Sequence, residues 1–136
     1  FATNAPGEND YTSGLNVDLG PSVSRSLNVI NVEGRGFSGV NDLCDQNYGF
    51  DTLHVFALQF DASQKIVRLS IDGKAHGTRP RDAQPLSLQQ MTLGARCMPD
   101  SNGKSQAQGH IKAIVAEAFL FSRVLPDEEL QSLSQQ

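Results

Sequence analysis

Tryptophan is absent from this sequence, and tyrosine occurs only twice, as Tyr11 and Tyr48. A sugar-stacking platform needs an aromatic ring with a polar edge, so few residues can supply one. Positive charge is also scarce: 11 Lys and Arg against 15 Asp and Glu give a net charge of −4. That balance argues against a nucleic-acid partner, whose phosphates call for clustered Lys and Arg. No apolar run approaches the roughly 20 residues that cross a bilayer, and no basic amphipathic helix offers a membrane contact. No leader peptide is visible, and the first residue is Phe1 rather than Met, which reads as a piece of a longer protein. Cysteine is limited to Cys44 and Cys97. Two thiols in a small domain form either one disulfide, implying an oxidising compartment, or two buried free thiols.

What is present is a succession of short strand signals. The 136 residues suit one domain, and a domain of this size removes roughly two-thirds of its unfolded surface from water. Residues 1–10 carry Pro, Gly and Asn/Asp without periodicity and read as loop. From there Leu15, Val17 and Leu19 alternate with Asn16 and Asp18, the period-two pattern of a half-buried strand. A second strand is expected over 27–32, closed by Gly34, Gly36 and Gly39, followed by an ordered loop over 41–52. A hairpin follows, with strands at 53–60 and 66–71; in the second, Val67, Leu69 and Ile71 share a face. Asp72-Gly73 then marks a tight turn. Residues 74–88 read as a polar crossing, 91–97 as a strand and 98–109 as a long loop. The apolar run 111–121 reads as a strand with a helix as its rival, since it holds three Ala among Ile, Val and Phe. Pro126 followed by Asp127, Glu128 and Glu129 fits a first helical turn, where the helix dipole favours acids. Leu130 and Leu133 give that helix an apolar stripe. Many short strands with turn signals and one terminal helix predict an all-β sandwich.

Several segments resemble a known family in a fixed order. Tyr11 to Leu19 and Asn31 to Gly39 look like the central strands of bacterial laminin-G-like domains. His54-Val55 with Val67-Arg68-Leu69-Ser70-Ile71-Asp72-Gly73 resembles that family's hairpin, although its usual Trp is Leu53 here. Leu93-Gly94-Ala95 resembles a further strand, and Glu117 to Glu129 the closing segment. The resemblance covers most of residues 11–133. It implies an antiparallel two-sheet jelly roll of the laminin-G and concanavalin A-like kind, spanning 1–136 as a single domain with one short C-terminal helix. Members of the family carry additional strands ahead of Tyr11, so the chain is expected to lack its first strands and to have its sheet completed by the preceding segment of the precursor. In the family's layout Cys44 precedes one strand and Cys97 ends another, so their ends could meet at one rim.

The candidate chemistry is sparse. Gly34-Arg35-Gly36-Phe37-Ser38-Gly39 spells G-x-G-x-x-G, but a dinucleotide site needs a helix opening there and a parallel βαβ unit. Strands follow instead, so the glycines read as a bend at a sheet edge. Glycosidases need two carboxylates about 5–9 Å apart. Asn16/Asp18 and Asn31/Glu33 put polar residues at strand spacing without pairing two carboxylates. His54, His76 and His110 lie on separate segments with no zinc spacing and read as packed or surface residues. Calcium takes hard oxygens; Asp100 and Asn102 offer some, and Asp42 and Asp45 would join them if Cys44 and Cys97 were bridged. An ordinary polar turn is the plainer reading. A ligand groove could be lined by Asn16, Asp18, Asn28, Asn31 and Arg68, with Tyr48 as its ring; a merely solvated face is the alternative.

These readings predict a non-catalytic recognition module for carbohydrate or protein in a larger secreted or surface protein, outside the cytoplasm. The expected partners are a glycan or an extracellular protein, and calcium is the only cofactor considered. A structural spacer or assembly domain without ligand is the second expectation. A glycoside hydrolase or lyase is the third.

Overall fold

The computed structural model describes residues 1–20, 26, 27, 29–37, 43, 44, 47–49 and 52–135. Its elements are β1 (Ala2–Asn4), α1 (Asp10–Ser13), β2 (Leu15–Gly20), β3 (Ser26–Leu27), β4 (Val29–Gly34), β5 (Tyr48–Gly49), β6 (Phe56–Asp61), β7 (Ile66–Ile71), β8 (Lys74–Pro80), β9 (Gln90–Thr92), β10 (Arg96–Pro99), β11 (Ser105–Gln108) and α2 (Asp127–Leu133). The chain is therefore mostly strand, with two short helical segments, and every pairing with a defined register is antiparallel. It divides into two compact units. One comprises Phe1–Asp18, Asn31–Val40 and Gln84–Ala118; the other comprises Leu19–Ile30, Asn41–Ala83 and Phe119–Gln136.

In the first unit the leading strand order is β4-β2-β1-β9, and β10 pairs with β11 as a separate hairpin. Residues 2–4, read from sequence as loop, instead form β1, with Ala2 opposite both Asn16 and Thr92. Three residues are too few to show a period, so pairing rather than pattern decides this strand. Leu15 and Val32 are buried, and Gly14 lets β1 approach closely: a Cβ there would stand 1.7 Å from the Thr3 carbonyl oxygen. The expected strand at 91–97 is divided, because Gly94 adopts φ +75° between β9 and β10. The expected loop at 98–109 is mostly the β10–β11 hairpin, with Pro99 opposite Ser105. No helix opens at 35–37; Gly34 has φ +130° and Arg35 donates its N–H to the Gly14 carbonyl at 2.9 Å. Gly39 lies outside the described residues.

The second unit holds the β6-β7-β8 meander and the short β3-β5 pair. Val67, Leu69 and Ile71 are buried on one face of β7, as their spacing predicts. Burying each contributes about 1.5–3 kcal/mol. Asp61 caps the β6–β7 turn by accepting from the N–H groups of Ser63 and Gln64, each at 3.0 Å. Asp72 and Gly73, at φ +51° and +73°, make the β7–β8 turn, the twist that suits a two-residue hairpin. Residues 74–80 are strand rather than crossing: β8 pairs with β7 from Lys74 to Pro80, and Pro80 is tolerated at its end. Leu130 of α2 is buried, and three acids occupy the first turn of that helix.

The expected strand at 111–121 is not formed. Ile111 donates to the Gly94 carbonyl at 2.8 Å, but 112–121 make no hydrogen bond among the described residues and every one of them is exposed. Ile114 is 83% exposed and Leu120 66%. Apolar content alone does not form a strand, because the backbone needs a neighbouring edge.

Both cysteines are thiols outside any disulfide, Cys97 buried and Cys44 half-buried. The bridge considered between them is not formed, and they belong to different units.

Candidate functional site

The first unit presents a polar sheet face. Leu15 and Asn16 point to opposite sides of β2, as successive strand residues must, and both are buried: Leu15 at 2% exposure and Asn16 at 0%. Asn16 and Asp18 share the second side. On β4, Ile30 and Val32 are buried, while Asn31 and Glu33 alternate with them. β2 and β4 are neighbours, and Glu33 acts electrostatically on Asp18. The two carboxylates thus influence each other across neighbouring strands, which the order of residues along one strand does not reveal.

Tyr11 and Arg96 join this face. Tyr11, on the short helix capped by Asn9, donates its hydroxyl to Glu33 Oε2 at 2.7 Å. The Arg96 guanidinium lies 4.5 Å from the centre of the Tyr11 ring. Its Nη2 donates to Asp10 Oδ1 at 3.1 Å and its Nε to Asp10 Oδ2 at 3.4 Å. Asp10 is wholly buried, so this fork neutralises a carboxylate that water cannot reach. Arg96 Nη1 also stands 3.8 Å from Asp18 Oδ2.

Charge on this face is uneven. Burial pushes the Asp18 carboxyl up, Arg96 pulls it down, and Glu33 and Asp10 push it up again, leaving it above its ordinary range. Burial also raises the Tyr11 hydroxyl, helped by Glu33. For Arg96, burial acts to lower the guanidinium pKa, but the Asp10 bonds and charge outweigh it and the group is held more firmly charged.

Two amides here lack protein partners. Both Nδ2 and Oδ1 of Asn16, and Oδ1 of Asn31, are buried without a hydrogen bond among the described residues. Such atoms normally find partners, and leaving one unmade costs about 1–3 kcal/mol. An amide offers a donor and an acceptor in one plane, which matches ligand hydroxyls.

The other expected site residues are distributed differently. Arg68 of β7 bonds to Gln64 and lies 3.8 Å from Asp61, so it serves the β6–β7 turn. Tyr48 packs edge-on to His54 and His76, with ring centres 5.1 and 5.5 Å away, and its hydroxyl bonds to His76 Nε2. His54 bonds to Asp72 at 2.8 Å. Tyr48 and Arg68 belong to the second unit, Asn16, Asp18 and Asn31 to the first. Asp100 accepts from the N–H groups of Asn102 and Lys104 at 2.8 and 2.9 Å, and from Gln106 at 3.1 Å, binding its own hairpin together. Asn102 is exposed. Asn28, Asp42 and Asp45 lie outside the described residues. Among the described residues no three His, Cys, Asp or Glu side chains gather as a metal set.

Asp10, Tyr11, Glu33 and Arg96 were not assigned to the groove from the sequence. The signal for Arg96 is a cation inside an otherwise apolar strand segment, which demands a buried partner. No family model, no curated protein and no solved structure matches this chain.

Proposed function

We propose that the chain is a non-catalytic recognition module that binds a glycan on the Asn16–Asp18–Asn31–Glu33 face, within a laminin-G or concanavalin A-like jelly roll of a secreted or surface protein. The single observation that carries this reading is the set of buried amide atoms of Asn16 and Asn31 without protein partners, beside carboxylates that remain part-open. Planar amides and carboxylates pair well with neighbouring sugar hydroxyls, and the Tyr11 ring, 42% exposed, adds an apolar edge. The fold-family part of the reading is supported by the fixed order of the segment resemblances and by the antiparallel strands. A glycan array followed by calorimetry tests it. The native protein should bind an oligosaccharide, and Asn31→Leu should weaken that binding about tenfold without lowering Tm, a loss in keeping with one or two hydrogen bonds. Undiminished binding by the variant, or no glycan bound by the native protein, overturns the reading.

A second reading, an assembly domain, draws on 112–121. Ten exposed residues with unbonded backbone suit pairing with a strand from a neighbouring segment of the same precursor.

A further inference from the structure

The charge on the polar face points to the kind of sugar it takes, an inference that rests on the glycan reading above. Three carboxylates, Asp10, Asp18 and Glu33, stand against the guanidinium of Arg96 and the amino group of Phe1. Arg96 is committed to Asp10 through two hydrogen bonds and reaches Asp18 only at 3.8 Å. The Phe1 amino group donates to the Val17 carbonyl at 2.9 Å, and burial lowers its pKa against the opposing pull of Asp18 and Asp10. Glu33 is bonded to the neutral hydroxyl of Tyr11. Asp18 and Glu33, on the neighbouring strands β2 and β4, therefore act on each other as like charges, which is unfavourable on a partly buried surface.

A ligand cation would relieve that imbalance. The unpartnered atoms of Asn16 include both its donor and its acceptor, and Asn16 is wholly buried beside Asp18 on the same strand face. A bare metal ion uses oxygens only and leaves the Asn16 Nδ2 donor unanswered. A sugar carrying an ammonium answers both needs, with hydroxyls that donate and accept and a positive charge for the carboxylates. We propose that this face selects amine-bearing sugars, with the free ammonium of a hexosamine unit between Asp18 and Glu33 and its hydroxyls directed to the Asn31 and Asn16 amides. Acetylating the amine removes the charge and the preference with it.

The experiment is calorimetry of the whole chain with three trisaccharides: a glucosamine trimer, its N-acetylated counterpart and a neutral glucose trimer. At pH 6 the glucosamine trimer should bind about tenfold more tightly than either of the others, the scale of one charge-assisted hydrogen bond. The margin should shrink in high salt and vanish at a pH where the sugar amine is neutral. Glu33→Gln and Asp18→Asn, each checked for an unchanged circular dichroism spectrum, should each erase most of the preference for the glucosamine trimer over the other two. Equal affinity for all three sugars overturns the amine inference and leaves the glycan reading standing. Binding that disappears on chelating calcium also overturns the inference. Binding of none of the three overturns both.

Discussion

Arg96 and Asp10 show how one buried pair can organise a surface. Asp10 is wholly inaccessible to water, so its charge is tolerable only with the Arg96 fork and the Cys97 N–H, 3.4 Å from Oδ2. Removing one partner of such a pair strands the other. Arg96→Met should therefore cost about 3–5 kcal/mol, measured as a fall in ΔG from urea unfolding; a loss under about 1 kcal/mol, the range of an exposed pair, would contradict the buried-pair account. Asp18 behaves oppositely. Its carboxyl is raised in the folded state by burial and, after the opposing pull of Arg96, by Glu33 and Asp10. A raised carboxyl favours the folded state fully below the ordinary aspartate range, near pH 4, and that contribution is lost as pH rises through the folded value. Asp18→Asn should thus have a higher Tm than the native chain at pH 7, with the gap closing as pH falls towards 4. A constant gap across that range would show that Asp18 carries no such burden.

At the scale of elements, strands announced themselves where a period coincided with a turn signal. Val67, Leu69 and Ile71 alternate and the β6–β7 hairpin forms as read, while Asp72-Gly73 makes the expected tight turn into β8, a segment read as a crossing. The same alternation in β2 was half informative. It marked a strand but put only its apolar side inward, whereas Asn16 is as buried as Leu15. β1, β8 and β11 escaped the pattern since their residues are polar or few, and only partner strands give them order. The run 111–121 failed the other way: its side chains favour a strand, yet nothing among the described residues pairs with it. Backbone amides of 112–121 should exchange with deuterium at nearly free-peptide rates in this chain, while those of β7, bonded on both edges, are strongly protected. Protection in this chain by itself would contradict the open segment.

For the whole molecule, the strand-rich class was legible from composition and turn spacing, while the grouping of the site was only partly so. Asn16, Asp18 and Asn31 were visible as polar positions on strands. Their union with Tyr11, Glu33 and Arg96 depends on contacts such as Tyr11–Glu33, 22 positions apart, and Asp10–Arg96, 86 apart, which no local pattern encodes. Tyr48 and Arg68 were placed with them because they have suitable chemistry; both belong to the second unit, where Tyr48 packs against two histidines and Arg68 bonds at a turn.

The pairing of β1 with β9 has a kinetic meaning. Ala2 meets Thr92, and Asn4 meets Gln90, so the ends of a very long loop must find each other, whereas β6, β7 and β8 need only short turns. Loop closure is paid before such distant contacts return anything. The meander is therefore free to form early, and the polar face must wait for the last and most distant partners to arrive. A chain still being synthesised would hold the β6-β7-β8 meander before residue 92 had emerged to complete the four-stranded sheet.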